Sequence, residues 1–168
     1  MGQVFSRSVE KQSVLAVITL NIARFTIWPE YVFDNARATL NMCIFGDNVI
    51  HQAFENIDNK VINSNSTTIN IINLSKLRNL DRCQLLYLGE QLNRNKLTSL
   101  LMELKTQPIL TIGETMVFIQ AGGMVRLENN NGKIQLTINL PRVKQAQLII
   151  SSRLLKLAKI VDFPLSDH

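Results

Sequence analysis

Several signatures of large protein classes are missing from this sequence of 168 residues. There is no run of eighteen apolar residues, so no segment is typical of a membrane-spanning helix. Neither G-x-G-x-x-G nor G-x-x-x-x-G-K-[ST] occurs, which leaves a dinucleotide or P-loop enzyme without support. A G-x-S-x-G elbow is missing too, so hydrolase-type nucleophilic catalysis has no support either.

Histidine is almost absent: the chain has only His51 and, at its end, His168. A metal site needs several Cys, His or carboxylate ligands at close spacing, and no such cluster accompanies His51. His51 follows a predicted strand on a helical stretch with Phe54, where a hydrogen-bonded boundary histidine is the usual case. We therefore expect no metal, no cofactor and no catalytic residue.

Acidic residues are missing from one long stretch near the end of the chain. From Lys133 to Val161 there are six basic residues and no acidic one, and the formal net charge of the chain is +5. Aromatic side chains, which would stack on bases, are absent from the same stretch. We expect no nucleic-acid partner. A solvated basic face is the simplest interpretation, and an acidic protein partner or an anionic membrane surface is the more specific one.

The residues that are present indicate a compact α/β protein. Apolar residues make up 46% of the chain and charged residues 18%, which suits a single domain over residues 1–168. Short apolar runs that end in glycine, such as Leu40–Phe45, alternate with helical patterns, so we predict a mainly parallel sheet flanked by helices. Asn130-Asn131-Gly132 between two apolar-rich runs predicts a C-terminal antiparallel hairpin. A final helix is predicted over residues 151–161.

The pair Gly122-Gly123 raises the question of a phosphate cradle. Such a cradle needs its glycines after a strand and at the start of a helix, where free N–H groups face the anion. Here the pair leads instead into the predicted hairpin. It is therefore interpreted as a turn.

The first helix is predicted from apolar spacing around the stretch VLAVITLNIA. At helical spacing, Val14, Val17, Ile18, Ile22 and Phe25 share one face, which we expect to face the core. Although basic residues precede this stretch, it lacks the small-residue cleavage site of a secretory signal.

Two glycine-stopped strands place acidic residues at the carboxyl edge of the predicted sheet, where doubly wound folds bind ligands. These residues are Asp47 and Glu90, and they are the candidate ligand-binding residues of a small-molecule sensor. A turn or helix-entry role is the commoner one for an aspartate after a glycine, with Asn48 as the predicted helix cap.

Cys43 and Cys83 are the only cysteines of the chain. If the first three strands lie in the order 2-1-3, the two cysteines belong to neighbouring strands. This placement fits either two buried free thiols or one disulfide that closes a loop of about forty residues. The residues alone leave the two alternatives open.

Six blocks of the sequence resemble one known family. They are NIARFTIWP (21–29), CIFGDN (43–48), CQLLYLG (83–89), PILTIG (108–113), AGGMVRL (121–127) and KIQLTINLPRVKQAQLIISSRLLKLA (133–158). Together, and in this order, they resemble the YfiR family of periplasmic proteins over nearly the whole chain. Some relatives carry a second cysteine pair towards the C-terminus, which is absent here.

The resemblance implies a non-enzymatic regulator that binds and represses an inner-membrane diguanylate cyclase from the periplasmic side. Cyclic-di-GMP signalling and biofilm formation would be under its control, and an outer-membrane lipoprotein would sequester it. The resemblance also implies secretion by a signal peptide outside the given sequence, and hence an oxidising compartment. In that compartment a Cys43–Cys83 disulfide is expected.

The resemblance further implies a homodimer, and we assign its interface to Ile22, Phe25 and Trp28. Basic residues on one face of the predicted final helix are assigned to partner binding: Arg153, Lys156 and Lys159. The alternative function is a periplasmic small-molecule sensor that uses the sheet edge at Asp47 and Glu90.

Overall fold

The computed structural model describes residues 2–33 and 38–165, which form two compact units. Of the described residues, unit 1 holds 2–24, 30–33 and 38–90, and unit 2 holds 25–29 and 91–165. The helices are α1 (Gly2–Arg24), α2 (Asn48–Glu55), α3 (Arg94–Glu103), α4 (Met116–Gln120), α5 (Leu140–Gln145) and α6 (Ser152–Leu155). The strands are β1 (Thr26–Ile27), β2 (Thr39–Phe45), β3 (Thr68–Leu74), β4 (Leu85–Leu88), β5 (Leu110–Gly113), β6 (Val125–Asn130), β7 (Lys133–Asn139), β8 (Ile149–Ile150) and β9 (Ala158–Val161). That the whole chain is one domain stays a prediction.

In unit 1, three parallel strands pair in the order β3-β2-β4. This is the 2-1-3 order on which the placement of the cysteines depends. The residues of β4 and most of those of β2 are buried, as expected for strands covered on both faces. The outer edge of β3 is covered by the preceding loop, where Asn59 and Lys60 bond to Ile69, and Asp58 accepts the N–H of Ile71.

Helix α1 buries a different face from the predicted one. Val14 and Val17 are about half exposed, whereas the buried side chains within residues 10–24 are Leu15, Ala16, Thr19, Leu20, Ile22 and Ala23. The helix contacts α2. A helix face with two alanines lets the two helix axes come closer together than a face of valines would. The buried Thr19 hydroxyl donates to the carbonyl of Leu15, so its burial leaves no unpaired donor. No helix among the described residues has the length and apolar character to cross a membrane.

In unit 2, four strands pair in the order β5-β6-β7-β9. The β5–β6 and β7–β9 pairs are parallel, and β6–β7 is the antiparallel hairpin. A separate two-stranded antiparallel ribbon joins β1 to β8, with Ile27 opposite Ile149. The predicted fold class, α/β with a mainly parallel sheet, flanking helices and an antiparallel hairpin, is confirmed.

The hairpin turn has the predicted chemistry. Asn131 and Gly132 form its two-residue loop, and both have positive φ, 54° and 87°. A right-twisted ribbon favours such mirror-image turns, which asparagine and glycine tolerate. The turn fixes the register, so Arg126 lies opposite Thr137.

Gly122 and Gly123 end helix α4 instead of cradling an anion. The N–H of Gly123 donates to Phe118 O and the N–H of Gly122 to Ile119 O, which is the Schellman pattern. Gly122 has a φ of +110°. A Cβ on Gly123 would lie 2.3 Å from the ring of Phe118, so the position also needs the small residue for packing. The interpretation as a turn holds, and the short helix before it was not predicted.

The predicted final helix over residues 151–161 is wrong. Helix α6 covers only Ser152–Leu155, where the Ser151 hydroxyl accepts the N–H of Arg153. The chain then turns and enters β9, which pairs in parallel with β7. The helical spacing of the leucines was misleading. Residues 158–161 make their main-chain hydrogen bonds with β7 as an extended strand, and the β-branched Ile160 and Val161 favour that conformation.

Candidate functional site

The predicted ligand edge of unit 1 is filled by a side chain. Cβ atoms on Gly46 and Gly89 would lie 2.8 and 2.6 Å from Cδ1 of Ile50, so this side chain occupies the space at the two strand ends. Asp47 caps α2, because its Oδ1 accepts the N–H of Ile50 at 3.0 Å, and the predicted cap Asn48 is the first residue of the helix. Glu90 is exposed, and no hydrogen bond or ion pair joins it to Asp47. The structure gives Asp47 a structural role at this edge.

His51 is a hydrogen-bonded boundary residue. Its Nε2 lies 3.1 Å from the carbonyl oxygen of Ile44, which can only accept, so Nε2 carries the proton. Within residues 2–33 and 38–165, no three Cys, His, Asp or Glu side chains are grouped so that they could hold a metal ion. His168 lies outside the described residues.

Cys43 and Cys83 form a disulfide with a Cα–Cα distance of 5.9 Å. Cys43 is in the middle of β2, and Cys83 lies just before β4. Asn41 holds the two segments together: its N–H donates to Gln84 Oε1, its amide donates to Arg82 O, and its carbonyl accepts the N–H of Gln84. Both cysteines are buried, so the bridge lies inside unit 1.

The predicted dimer interface is wrong for two of its three residues. Ile22 and Trp28 are buried within the chain, and Phe25 is half-buried. A residue that is already buried in its own chain has no surface to offer a second copy. Ile22 faces inward because it belongs to the buried stripe of α1.

The predicted partner-binding residues are exposed but do not share a helix face. Arg153 lies in α6, Lys156 follows that helix, and Lys159 lies in β9 opposite Thr137. Among the described residues, none of the three cations is in an ion pair. We call residues 153–160 the basic segment. It ends in β9, the last strand in the order of unit 2.

Unit 2 contains a cavity of about 250 Å³ over the face of β6, β7 and β9. Its polar lining comes from Arg126, Glu128, Gln135, Thr137 and Lys159. Arg126 donates to the carbonyl of Glu114 at 3.1 Å and lies 3.4 Å from the carboxylate of Glu128. The apolar lining comes from Met116, Ile119, Leu136, Leu157, Val161 and Phe163. The cavity thus combines apolar walls with two cations.

Two buried polar residues of unit 2, Asn139 and Arg142, make hydrogen bonds to distant main-chain groups. The amide of Asn139 bonds to both main-chain groups of Phe163, at 2.7 and 3.3 Å. Arg142 donates through Nε to Gly122 O at 3.1 Å and through Nη1 to Gln145. Burial lowers the pKa of Arg142, because a charged guanidinium loses solvation there. Leu165 lies over Gly122, where a Cβ would come within 2.2 Å of it.

A family model described as YfiR/HmsC-like matches residues 12–159 of the chain. The chain belongs to the YfiR/HmsC-like family. Among curated proteins, none matches it. The family is one of regulators and not of catalysts, and membership supports a general role as a periplasmic regulator.

The region shared with the YfiR/HmsC-like family contains the disulfide, strand β6, strand β7 with Asn139, and Lys159. The cavity residues Val161 and Phe163 lie beyond the matched region. Sequence reasoning missed the cavity of this family member, although part of the signal was available. The Asn-Gly turn predicts the register that pairs Arg126 with Thr137, but Lys159 was assigned to a helix. Because residues 158–161 were predicted to be helical, the third strand of the cavity, β9, was missed.

Proposed function

We propose that this YfiR/HmsC-like protein binds the periplasmic module of an inner-membrane diguanylate cyclase and represses the enzyme. Repression would lower cyclic-di-GMP and biofilm formation, and an outer-membrane lipoprotein would relieve it by sequestering the regulator. The observation that carries the proposal is the exposed basic segment, taken together with membership of a regulatory family.

The basic segment has the composition of a protein-binding surface. Leu157 is 78% exposed and Ile160 is 45% exposed, although both are large apolar side chains. They alternate along the chain with Lys156 and Lys159, and Arg153 lies one turn earlier. Apolar anchors supply most of the affinity of a protein interface, and surrounding charges supply orientation and association rate. The partner surface that fits is acidic with an apolar centre.

A periplasmic location is part of this proposal. A disulfide buried in unit 1 is typical of proteins that fold in an oxidising compartment. The family description supports the same location. A homodimer remains part of the proposal as well, with an interface other than Ile22 and Trp28.

The direct test is binding between the purified chain and the immobilised periplasmic module of a membrane-bound diguanylate cyclase from the same organism. Biolayer interferometry should show saturable binding that weakens as salt increases, since rim charges steer association. The immobilised periplasmic domain of an unrelated membrane receptor serves as the control surface. Equal signals on the two surfaces, or none on either, would reject the proposal.

A further inference from the structure

We infer that the cavity of unit 2 is a binding site for a small apolar monocarboxylate, a molecule with one carboxylate and a short hydrocarbon or aromatic body. This site does not depend on the proposed repression of a cyclase. It also differs in place from the sheet edge at Asp47 and Glu90, where Ile50 fills the space.

The polar part of the site is a row of three side chains in register across three strands. Arg126 on β6 lies opposite Thr137 on β7, and Thr137 lies opposite Lys159 on β9. All three line the cavity. Neighbouring strands are about 4.8 Å apart, so the two cations start about 10 Å apart with the threonine hydroxyl between them. A carboxylate above Thr137 is within reach of both long side chains.

The charges of the lining favour a single negative charge. Arg126 and Lys159 contribute two positive charges, and Glu128 contributes one negative charge at 3.4 Å from Arg126. One bound carboxylate would therefore balance the lining. An arginine carries five N–H donors, so its bonds to Glu114 and Glu128 leave donors for a ligand. Lys159 has no ion pair with any described residue.

The walls of the site select an apolar body. Met116 and Leu157, which line the cavity, are 48% and 78% exposed. A ligand that covers them removes apolar surface from water, which favours binding. The volume of about 250 Å³ lies below the range of ~300–1,000 Å³ that drug-sized ligands occupy, so the occupant is small.

One wall of the site is fixed by a specific contact. Phe163 lines the cavity, and the buried amide of Asn139 holds its main chain on both the N–H and the C=O side. Because this wall is held before any ligand arrives, less ordering entropy is lost on binding. This wall of the cavity is thus preorganised.

The test uses octanoate and 3-phenylpropanoate as probes and the folded full chain, followed by ¹H–¹⁵N NMR and isothermal titration calorimetry. Both carboxylates should bind and shift amide signals in β6, β7 and β9. Octan-1-ol, which has the same hydrocarbon chain without the charge, should bind at least about tenfold more weakly, because it cannot form charge-assisted hydrogen bonds with Arg126 and Lys159. Inorganic phosphate, which is charged but has no hydrocarbon part, should not compete with octanoate at equal concentration.

The decisive variant is Lys159→Met, which keeps the length of an exposed side chain and removes its charge. It should weaken octanoate binding by about tenfold or more, while Lys156→Met, which lies outside the cavity lining, should leave it unchanged. Thr137→Val should weaken binding by a few-fold through loss of one hydroxyl donor. Unchanged circular dichroism and melting temperature show that the variants are folded. Equal binding of octanol and octanoate, equal binding of phosphate, or no binding up to millimolar concentration would each overturn the inference.

Discussion

The side-chain amide of Asn139 pairs with the main chain of Phe163 in both directions. Its Nδ2 donates to Phe163 O at 2.7 Å, and its Oδ1 accepts the Phe163 N–H at 3.3 Å. Asn139 is fully buried at the end of β7. The pairing imitates one step of a strand ladder and ties the segment after β9 to unit 2.

Asn139→Ala should therefore release this segment and lower stability. A buried pair of hydrogen bonds is lost, and the expected decrease in unfolding free energy is about 1–3 kcal/mol. Hydrogen exchange followed by mass spectrometry should show faster exchange at Phe163, because its N–H loses its acceptor. Asn73→Ala, at an exposed position of β3, is the matched control and should change neither quantity. Slow exchange at Phe163 in Asn139→Ala would contradict the pairing.

The disulfide should contribute strongly to the stability of the chain. Cys43 and Cys83 are 40 residues apart, and closing a loop of that size stabilises a protein by about 4 kcal/mol in the chain-entropy model. Urea denaturation of the Cys43→Ala/Cys83→Ala variant should therefore show a decrease of about 2–4 kcal/mol. Alkylation of denatured, non-reduced protein from the periplasm is the complementary check. Two alkylated cysteines in its intact mass would show that the bridge is absent.

More of the fold of unit 1 than of the fold of unit 2 could be predicted from the sequence. Glycine-stopped apolar runs correctly indicated parallel strands, because strands covered on both faces consist of continuous apolar residues. The 2-1-3 order was only the condition for neighbouring cysteines, and the three strands do lie in that order. The face of α1 could not be predicted in the same way. Valines and isoleucines occur on both sides of this helix, so periodicity alone did not decide between Val14 and Leu15.

The cavity could not be predicted, because it depends on long-range pairing. Lys159 comes into register with Thr137 only when β9 adds to β7, and the local pattern of residues 151–161 equally suits a helix. The same misassignment placed Arg153, Lys156 and Lys159 on one face. Tertiary pairing often overrides local propensity in segments this short.

Gly123→Ala should destabilise unit 2 through a clash with Phe118. The new Cβ would lie 2.3 Å from the ring, and overpacking of this kind costs about 1–3 kcal/mol. Phe118→Leu in the same chain should recover part of the loss, since the shorter side chain makes room. Gly132→Ala is the comparison variant: it has positive φ but no atom within 4 Å, so only backbone strain is added. If Phe118→Leu does not recover any stability in the Gly123→Ala chain, a clash with the ring is not the cause of the loss.

Asp47→Ala should lower the stability of α2 without affecting any ligand. Loss of an N-cap costs about 0.5–2 kcal/mol, and Asp47→Ser should retain most of the stability because serine also caps well. Thermal denaturation by circular dichroism measures both changes. Glu90→Ala, at the neighbouring strand end, should be neutral. If Asp47→Ala and Asp47→Ser destabilise equally, the capping role is wrong.

Charge reversal in the basic segment should slow association with the cyclase module. Arg153→Glu/Lys156→Glu should reduce the association rate at low salt, and the difference from the native chain should shrink at high salt. Lys76→Glu/Arg78→Glu makes the same change in net charge at exposed positions of unit 1 and serves as the control. Equal association rates for the two double variants over a salt series would remove the basic segment from the interface.

Repression itself is tested most directly by the activity of the cyclase. The full-length enzyme in nanodiscs leaves both membrane faces accessible, so formation of cyclic-di-GMP from GTP can be followed while the purified chain is added. We expect a saturable fall in the initial rate as the chain is titrated, with no fall when heat-denatured chain is added. An unchanged rate with folded chain at concentrations well above those that saturate binding would contradict it.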